Sequence, residues 1–213
     1  MFQNKNALSF FPTFVWVHEL TADIRDEVER TAVRLIDELL TPRPAPNARR
    51  QWQTATDLQT RPEFARLNEV VLTAAQEIMA FLELKPAPLE ITGAWANVSQ
   101  PGATHFEHSH PNNFLSLVYY PRVPKGGDQI NFHDPRLQAH VIAPPFIKAN
   151  AKTASSVSVP IAAGRLVAFP SWLRHSVPVH QGEGERISIA FNVMFAEPIG
   201  KPRWSGEYGK KRD

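Results

Sequence analysis

From Pro88 onward the sequence stops holding a helical period. Short runs rich in Val, Ile, Phe and Tyr recur instead for about a hundred residues, with Pro, Gly and Asn between them. The runs are LEITGAWANV, FLSLVYY, QINF, HVIA, SVSV, RLVAF, HSVPV and RISIAFNVMF. About eight short strands with no intervening helix can bury their apolar residues in only a few ways. A double-sheet jelly roll (a double-stranded β-helix, cupin-like) or a related barrel is the expected core.

The residues before Pro88 read differently. FFPTFVWV, residues 10–17, is aromatic and β-branched and predicts an early strand. From Thr21 the spacing of Ile24, Val28, Leu35 and Leu39 predicts an amphipathic helix, with Asp23, Asp26 and Glu27 near its positive end. After Pro62 a second helix repeats Phe64, Leu67, Val71, Ala74, Ile78 and Phe81 until Lys85-Pro86 stops it. TPRPAPNARRQWQTATD, between the two, is expected to be an irregular connection. The expected organisation is one domain over 1–213: a mainly helical flank (1–87) whose two helices cover a jelly-roll core (88–197), then a basic tail (198–213).

A net charge of +2 is too small an excess for a nucleic-acid groove, and Lys210, Lys211 and Arg212 read as a solvated tail. No window approaches a membrane span, and the N-terminus lacks the pattern of a secretion signal, so a cytoplasmic location is expected. Oligomeric state is left open, a homodimer included. With no cysteine in the chain, any metal must rest on His, Asp or Glu.

Thr104–Asn112, THFEHSHPN, holds three of the eight histidines. In an extended chain His108 and His110 project from one face and His105 from the other. Two imidazoles at i and i+2 can hold adjacent corners of a metal site. His175, between the strand-like runs GRLVAFPSWLRH and SVPV, is the best third ligand, and such a set leaves half the coordination sphere open. His18, His133, His140 and His180 read as ordinary surface or structural histidines, with His133 also a candidate beside a site. Trp172 and Phe169 read as packing.

These segments carry a resemblance. Gly102-Ala-Thr-His-Phe-Glu-His108-Ser-His110 resembles the glycine, five residues, His-x-Asp stretch of prolyl-hydroxylase-like iron(II)/2-oxoglutarate dioxygenases. Gly164 to Val179 and Gly184-Glu-Arg186-Ile-Ser188 resemble that superfamily's distal histidine and co-substrate cation. WANVSQPG, HSHPNNFLSLVYY, FPSWLRHSVPV and ERISIAFN look more closely like the bacterial and phage 2-oxoglutarate–iron(II) oxygenases, over residues 93 to 195.

The resemblance implies iron(II) as metal and 2-oxoglutarate as co-substrate. It implies an oxidative decarboxylation with O2 that yields succinate and CO2 and hydroxylates a C–H bond of a small-molecule or peptide substrate. It also implies that Arg186 and Ser188 grip the C5 carboxylate, since guanidinium pairs bidentately with carboxylate. The other reading of Arg186 is an edge-strand arginine paired with Glu183 or Glu185. The chain departs from the family pattern at His110, which stands where an Asp is usual. Zinc would also accept three histidines, and Asp128 or Asp134 could supply a carboxylate from elsewhere.

Further polar residues are candidates for the co-substrate pocket: Asn97 on the strand before the glycine, Asn192 at i+6 from Arg186, and Tyr120. Alternation in FLSLVYY puts Phe114, Ser116, Val118 and Tyr120 on one face and Leu115, Leu117 and Tyr119 on the other, so one tyrosine lines the barrel. Two other readings compete: a three-His cupin-like metalloenzyme without 2-oxoglutarate, and a non-catalytic jelly-roll binding module. The loops at 41–60 and 134–156 are the expected seat of substrate specificity.

Overall fold

Strand alternation and the apolar runs resolve into two antiparallel sheets packed face to face. The computed structural model describes residues 1–43, 45, 51–142, 144–148 and 150–197. In chain order the strands are β1 (Trp16–Glu19), β2 (Gln51–Gln53), β3 (Leu89–Ser99), β4 (His105–His108) and β5 (Leu115–Arg122). They continue with β6 (Gln129–His133), β7 (Ser156–Pro160), β8 (Arg165–Pro170), β9 (His175–Val177) and β10 (Arg186–Phe195). The larger sheet has the order β1-β8-β5-β10-β3-β2 and the smaller one β4-β9-β6-β7, which is a jelly roll.

The helices are α1 (Ala22–Val28), α2 (Arg34–Leu39) and α3 (Ala65–Phe81). A π turn, Glu29–Val33, joins α1 to α2. The extra residue in that turn rotates the following face by about 100°. The buried residues are therefore Val28, Ala32, Val33, Ile36 and Leu40, and Leu39 of the predicted stripe turns outward. In α3 the predicted stripe holds for Leu67, Val71, Ala74 and Ile78, while Phe81 is partly exposed and edges onto the rings of Phe14 and Trp16.

β5 divides the interior. Leu115, Leu117 and Tyr119 face the helical layer and share one apolar core with Phe64, Leu67, Val71 and Ile78. Tyr120 points the other way, into the core between the sheets with Ile130, Phe132, Val167, Phe169 and Leu173. Each fully buried large side chain here contributes about 1.5–3 kcal/mol relative to exposure. Charges tie the helices to the larger sheet: Arg122 reaches Glu29 (3.0 Å) and Asp37 (3.1 Å), and Arg43 bridges Asp37 and Glu185 (2.8 Å to the latter).

Several expected elements differ. The early strand is displaced to residues 16–19, because only there does the chain meet the edge of β8, Trp16 opposite Ala168. HVIA forms no strand in its described part: Leu137–His140 is a 3-10 turn, and Val141 and Ile142 are exposed with no buried face to build on. Two strands were not expected, β2 and β4; the first lies within the supposedly irregular connection and pairs with the far end of β3, Gln53 opposite Asn97. The expected basic tail, 198–213, lies outside the described residues.

Candidate metal and co-substrate site

The turn at Pro101-Gly102 sends the chain from β3 into β4. Gly102 takes φ 86°, a left-handed value that a Cβ resists, and its N–H donates to the His180 carbonyl at 2.8 Å. β4 then pairs with β9, His108 directly opposite His175. His110 follows just past the end of β4, where its N–H donates to the Ser171 carbonyl at 2.9 Å. One ligand atom from each of His108, His110 and His175 lies within 4.8 Å of the others.

Main-chain carbonyls set the tautomers of two of these rings. Nδ1 of His108 lies 2.7 Å from the Phe106 carbonyl, and Nδ1 of His175 lies 3.0 Å from the Leu173 carbonyl. A carbonyl can only accept, so each neutral ring carries its proton on Nδ1 and presents the Nε2 lone pair to the centre. Burial pushes the imidazolium of His110 down to about 4 and that of His175 down to about 3, each lowered further by the neighbouring histidines. The rings of His110 and His175 are thus neutral near pH 7, the state a metal requires. The donor set, three imidazoles and no thiolate, suits iron, zinc or a similar divalent ion.

His105 is not on the opposite face. Its ring stacks on His108 with centroids 4.2 Å apart and planes 19° from parallel. The cause is an irregularity in the ladder: His105 opposes Val177 and His108 opposes His175, so three steps on β4 match two on β9. Such a bulge cancels the alternation, and both rings reach the same cavity.

That cavity runs from the histidines to Arg186. Gln51, Trp95, Asn97, Val118, Tyr120 and Ser188 also line it. Arg186 is 4% exposed, and its Nε finds no hydrogen-bond partner among the described residues. Its burial favours loss of the proton, offset in part by Tyr120, yet a guanidinium stays charged in proteins. Glu185 does not neutralise it, since that carboxylate pairs with Arg43 (2.8 Å) and Arg122 (3.6 Å). A buried cation without an anion is costly, so the arrangement fits an anionic guest. Tyr120 is buried beside it, its phenol pushed up to about 12 by desolvation, and remains a neutral donor.

Ser188 lies opposite Asn97 across the β10–β3 pair, and both are buried at the cavity wall. Asn192 is not brought to the cavity. It precedes a ladder irregularity, and its Oδ1 accepts from Ser116 at 3.1 Å, in a chain that continues to Ser171 at 2.9 Å. Neither Asp128 nor Asp134 joins the three histidines among the described residues, and Asp134 pairs with Arg136 at 2.8 Å.

His133 and His180 have structural settings. His133 lies 2.9 Å from Ser176 Oγ and 3.7 Å from Glu107, and His180 closes a turn through Gly182 and Gly184. Phe169 is fully buried with its ring 4.6 Å from that of His175, whereas Trp172 is about half exposed. Gln51 and Trp95 line the cavity although neither is among the residues expected there. Trp95 sits in a run read as a strand, with its ring 5.6 Å from that of His110. The alternation Gln51-Trp52-Gln53 was a signal for β2 that the surrounding prolines obscured.

Residues 93–192 match the family described as "Putative 2OG-Fe(II) oxygenase". No curated protein matches the sequence. Among solved structures, the fold is similar to the non-heme α-ketoglutarate-dependent epimerase SnoN from nogalamycin biosynthesis, with TM-score 0.62 and 14% identity, over 86% of this chain and 79% of that one. HygX from Streptomyces hygroscopicus, solved with nickel and 2-oxoglutarate bound, gives 0.59 and 15% over 86% and 83%. A Pseudomonas putida prolyl-4-hydroxylase gives 0.56 and 18% over 86% and 93%. At such identities the likeness speaks for the jelly-roll fold.

Proposed function

We infer that this chain, whose residues 93–192 belong to the 2OG-Fe(II) oxygenases, is a 2-oxoglutarate-dependent dioxygenase in which His108, His110 and His175 hold iron(II). The observation that carries the reading is the single cavity shared by three convergent imidazoles and a buried arginine that pairs with no anion among the described residues. With iron bound, the centre supplies oxidative decarboxylation: 2-oxoglutarate, O2 and a substrate C–H bond give succinate, CO2 and the corresponding alcohol.

The protein's residues have separable tasks. His108 and His175 direct Nε2 lone pairs inward, and His110, against Trp95, closes the third corner. Arg186 and Ser188 receive the C5 carboxylate, with Tyr120 and Asn97 as neutral polar groups along the wall. Val118, Ile130 and Ala190 give the cavity apolar sides. The substrate, a small molecule or a peptide, meets the open face of the metal, and a cytoplasmic setting belongs to the same reading. Among the described residues no helix is long and apolar enough to cross a membrane.

The buried Arg186 favours this reading over a three-His enzyme that dispenses with 2-oxoglutarate, for which that cation has no use. The test is anaerobic loading with iron(II) followed by titration with 2-oxoglutarate, then succinate formation in a panel of amino acids and peptides. The reading requires saturable binding by the iron-loaded protein. Failure to bind at full iron occupancy would overturn it.

A further inference from the structure

Three of the four histidines that line the cavity divide into two kinds by the partner of Nδ1. His108 and His175 face carbonyl oxygens there, which fixes the proton on Nδ1. His105 faces the opposite kind of group. Its Nδ1 lies 3.4 Å from Nε2 of Gln51, an amide nitrogen that can only donate and that also donates to Asn97 Oδ1 at 3.0 Å. In the neutral ring the proton therefore sits on Nε2, so that atom is a donor and has no lone pair for a metal. Among the described residues Nε2 of His105 makes no hydrogen bond of its own.

The direction of β4 fixes which end of the cavity this donor serves. The strand enters at His105 and reaches the proposed metal ligands only at His108 and beyond. Gln51 ties His105 to Asn97, which lies opposite Ser188, two residues along β10 from Arg186. The ring also stacks face to face on His108, which holds its orientation. His105 is thus tied, through Gln51, to the cavity wall that carries Asn97, Ser188 and Arg186.

We propose that His105 is a co-substrate-binding residue whose Nε2–H donates to the 2-oxoglutarate carboxylate at the Arg186 end of the cavity. This rests on the 2-oxoglutarate reading above and extends it to a residue that strand alternation assigns to the other face.

Calorimetric titration of the nickel-loaded protein with 2-oxoglutarate tests it, with nickel affinity measured alongside. His105→Phe keeps the stack on His108 but removes the donor, and is expected to weaken 2-oxoglutarate binding about 10-fold with nickel affinity unchanged. His105→Gln, which can return an amide N–H to the same place, is expected to stay within about 3-fold of the native protein. His105→Ala asks less of the packing and should show the same loss as the Phe variant, so poor folding of the latter leaves the test standing. Pyruvate, which offers the chelating end alone, should bind the native protein and the Ala variant equally.

Unchanged 2-oxoglutarate binding in both the Phe and Ala variants overturns the proposal, as does an equal loss for pyruvate. A fall in nickel affinity would make His105 a ligand and overturn it too. If the native nickel-loaded protein itself fails to bind 2-oxoglutarate, the functional reading falls and this inference with it.

Discussion

His108 and His175 face each other as partners across the β4–β9 ladder, their ring centroids 4.3 Å apart. Two strands from distant parts of the chain are thereby pinned by the pair that would share a metal, and each ring is oriented by a carbonyl two residues before it. Replacing either by alanine removes a proposed ligand that is already oriented. Loss of a residue that merely supports a ligand costs 10–100-fold in metal affinity. His108→Ala and His175→Ala are therefore each expected to lose more than about 100-fold. The metal-to-protein ratio after anaerobic loading and dialysis checks this, and near-stoichiometric metal in either variant would contradict it.

Arg186 gives a prediction with two opposite signs. In the ligand-free protein its charge is buried with no anion paired to it among the described residues, a situation in which an apolar side chain of similar length is often better by about 1–4 kcal/mol. Arg186→Met is expected to raise the melting temperature of the ligand-free protein. The same substitution should weaken 2-oxoglutarate binding by about 10- to 100-fold, since hydrogen bonds between charged groups are lost. Thermal melts with and without 2-oxoglutarate read both effects: the co-substrate stabilises the native protein and leaves the variant where it was. A variant that melts lower without ligand and still gains from 2-oxoglutarate would contradict both halves.

Much of this arrangement could be read before any coordinates. The jelly roll was legible because its strands are short, β-branched and separated by turn residues, and the resemblance pointed to His108, His110, His175 and Arg186. What escaped depends on single insertions that periodicity cannot locate. One extra residue in the β4 ladder brings His105 onto the face of His108, and one in the π turn replaces Leu35 and Leu39 by Ile36 and Leu40 as buried residues. A third irregularity, after Asn192, shifts the β10–β3 register just past the point at which that side chain turns to Ser116. The choice between Tyr119 and Tyr120 needed the structure for another reason. Both faces of β5 are buried, one under helices and one between sheets, so apolar patterning carries no preference.

The lowered imidazole values have a consequence for acid stability. His175 is 5% exposed, and burial takes it from an ordinary 6.5 to about 3, while His105 and His110 are held near 4. In the unfolded chain all three titrate near 6.5. Between these limits the unfolded state binds more protons than the folded one, so stability is complete above about pH 6.5 and declines as the pH falls toward 4. For the buried His175 the slope is at most about 1.4 kcal/mol per pH unit. Melting curves of the metal-free protein from pH 7.5 to 4 are expected to show this decline, and His175→Gln, which has nothing to protonate, should flatten it. A melting temperature that rises on acidification would contradict the assignment.

His110 should be the weakest of the three proposed ligands. Its ring makes no hydrogen bond among the described residues, so neither tautomer is enforced; it packs among the rings of His108 (5.0 Å) and His175 (5.2 Å), and Trp95, 5.6 Å away, is the neighbouring ring outside the proposed ligand set. A ligand free to choose its tautomer and to rotate loses more entropy on binding than His175, which is buried and held by the Leu173 carbonyl. His110→Ala is therefore expected to lower metal affinity by about 10-fold less than His175→Ala does. Removing the tilted indole contact should weaken His110 further: Trp95→Ala is expected to cost about 10-fold in metal affinity in the native background and little when His110 is already alanine. Metal titrations of the four proteins in that double-mutant cycle measure the coupling. Equal losses from Trp95→Ala in both backgrounds would show that the indole does not act through His110.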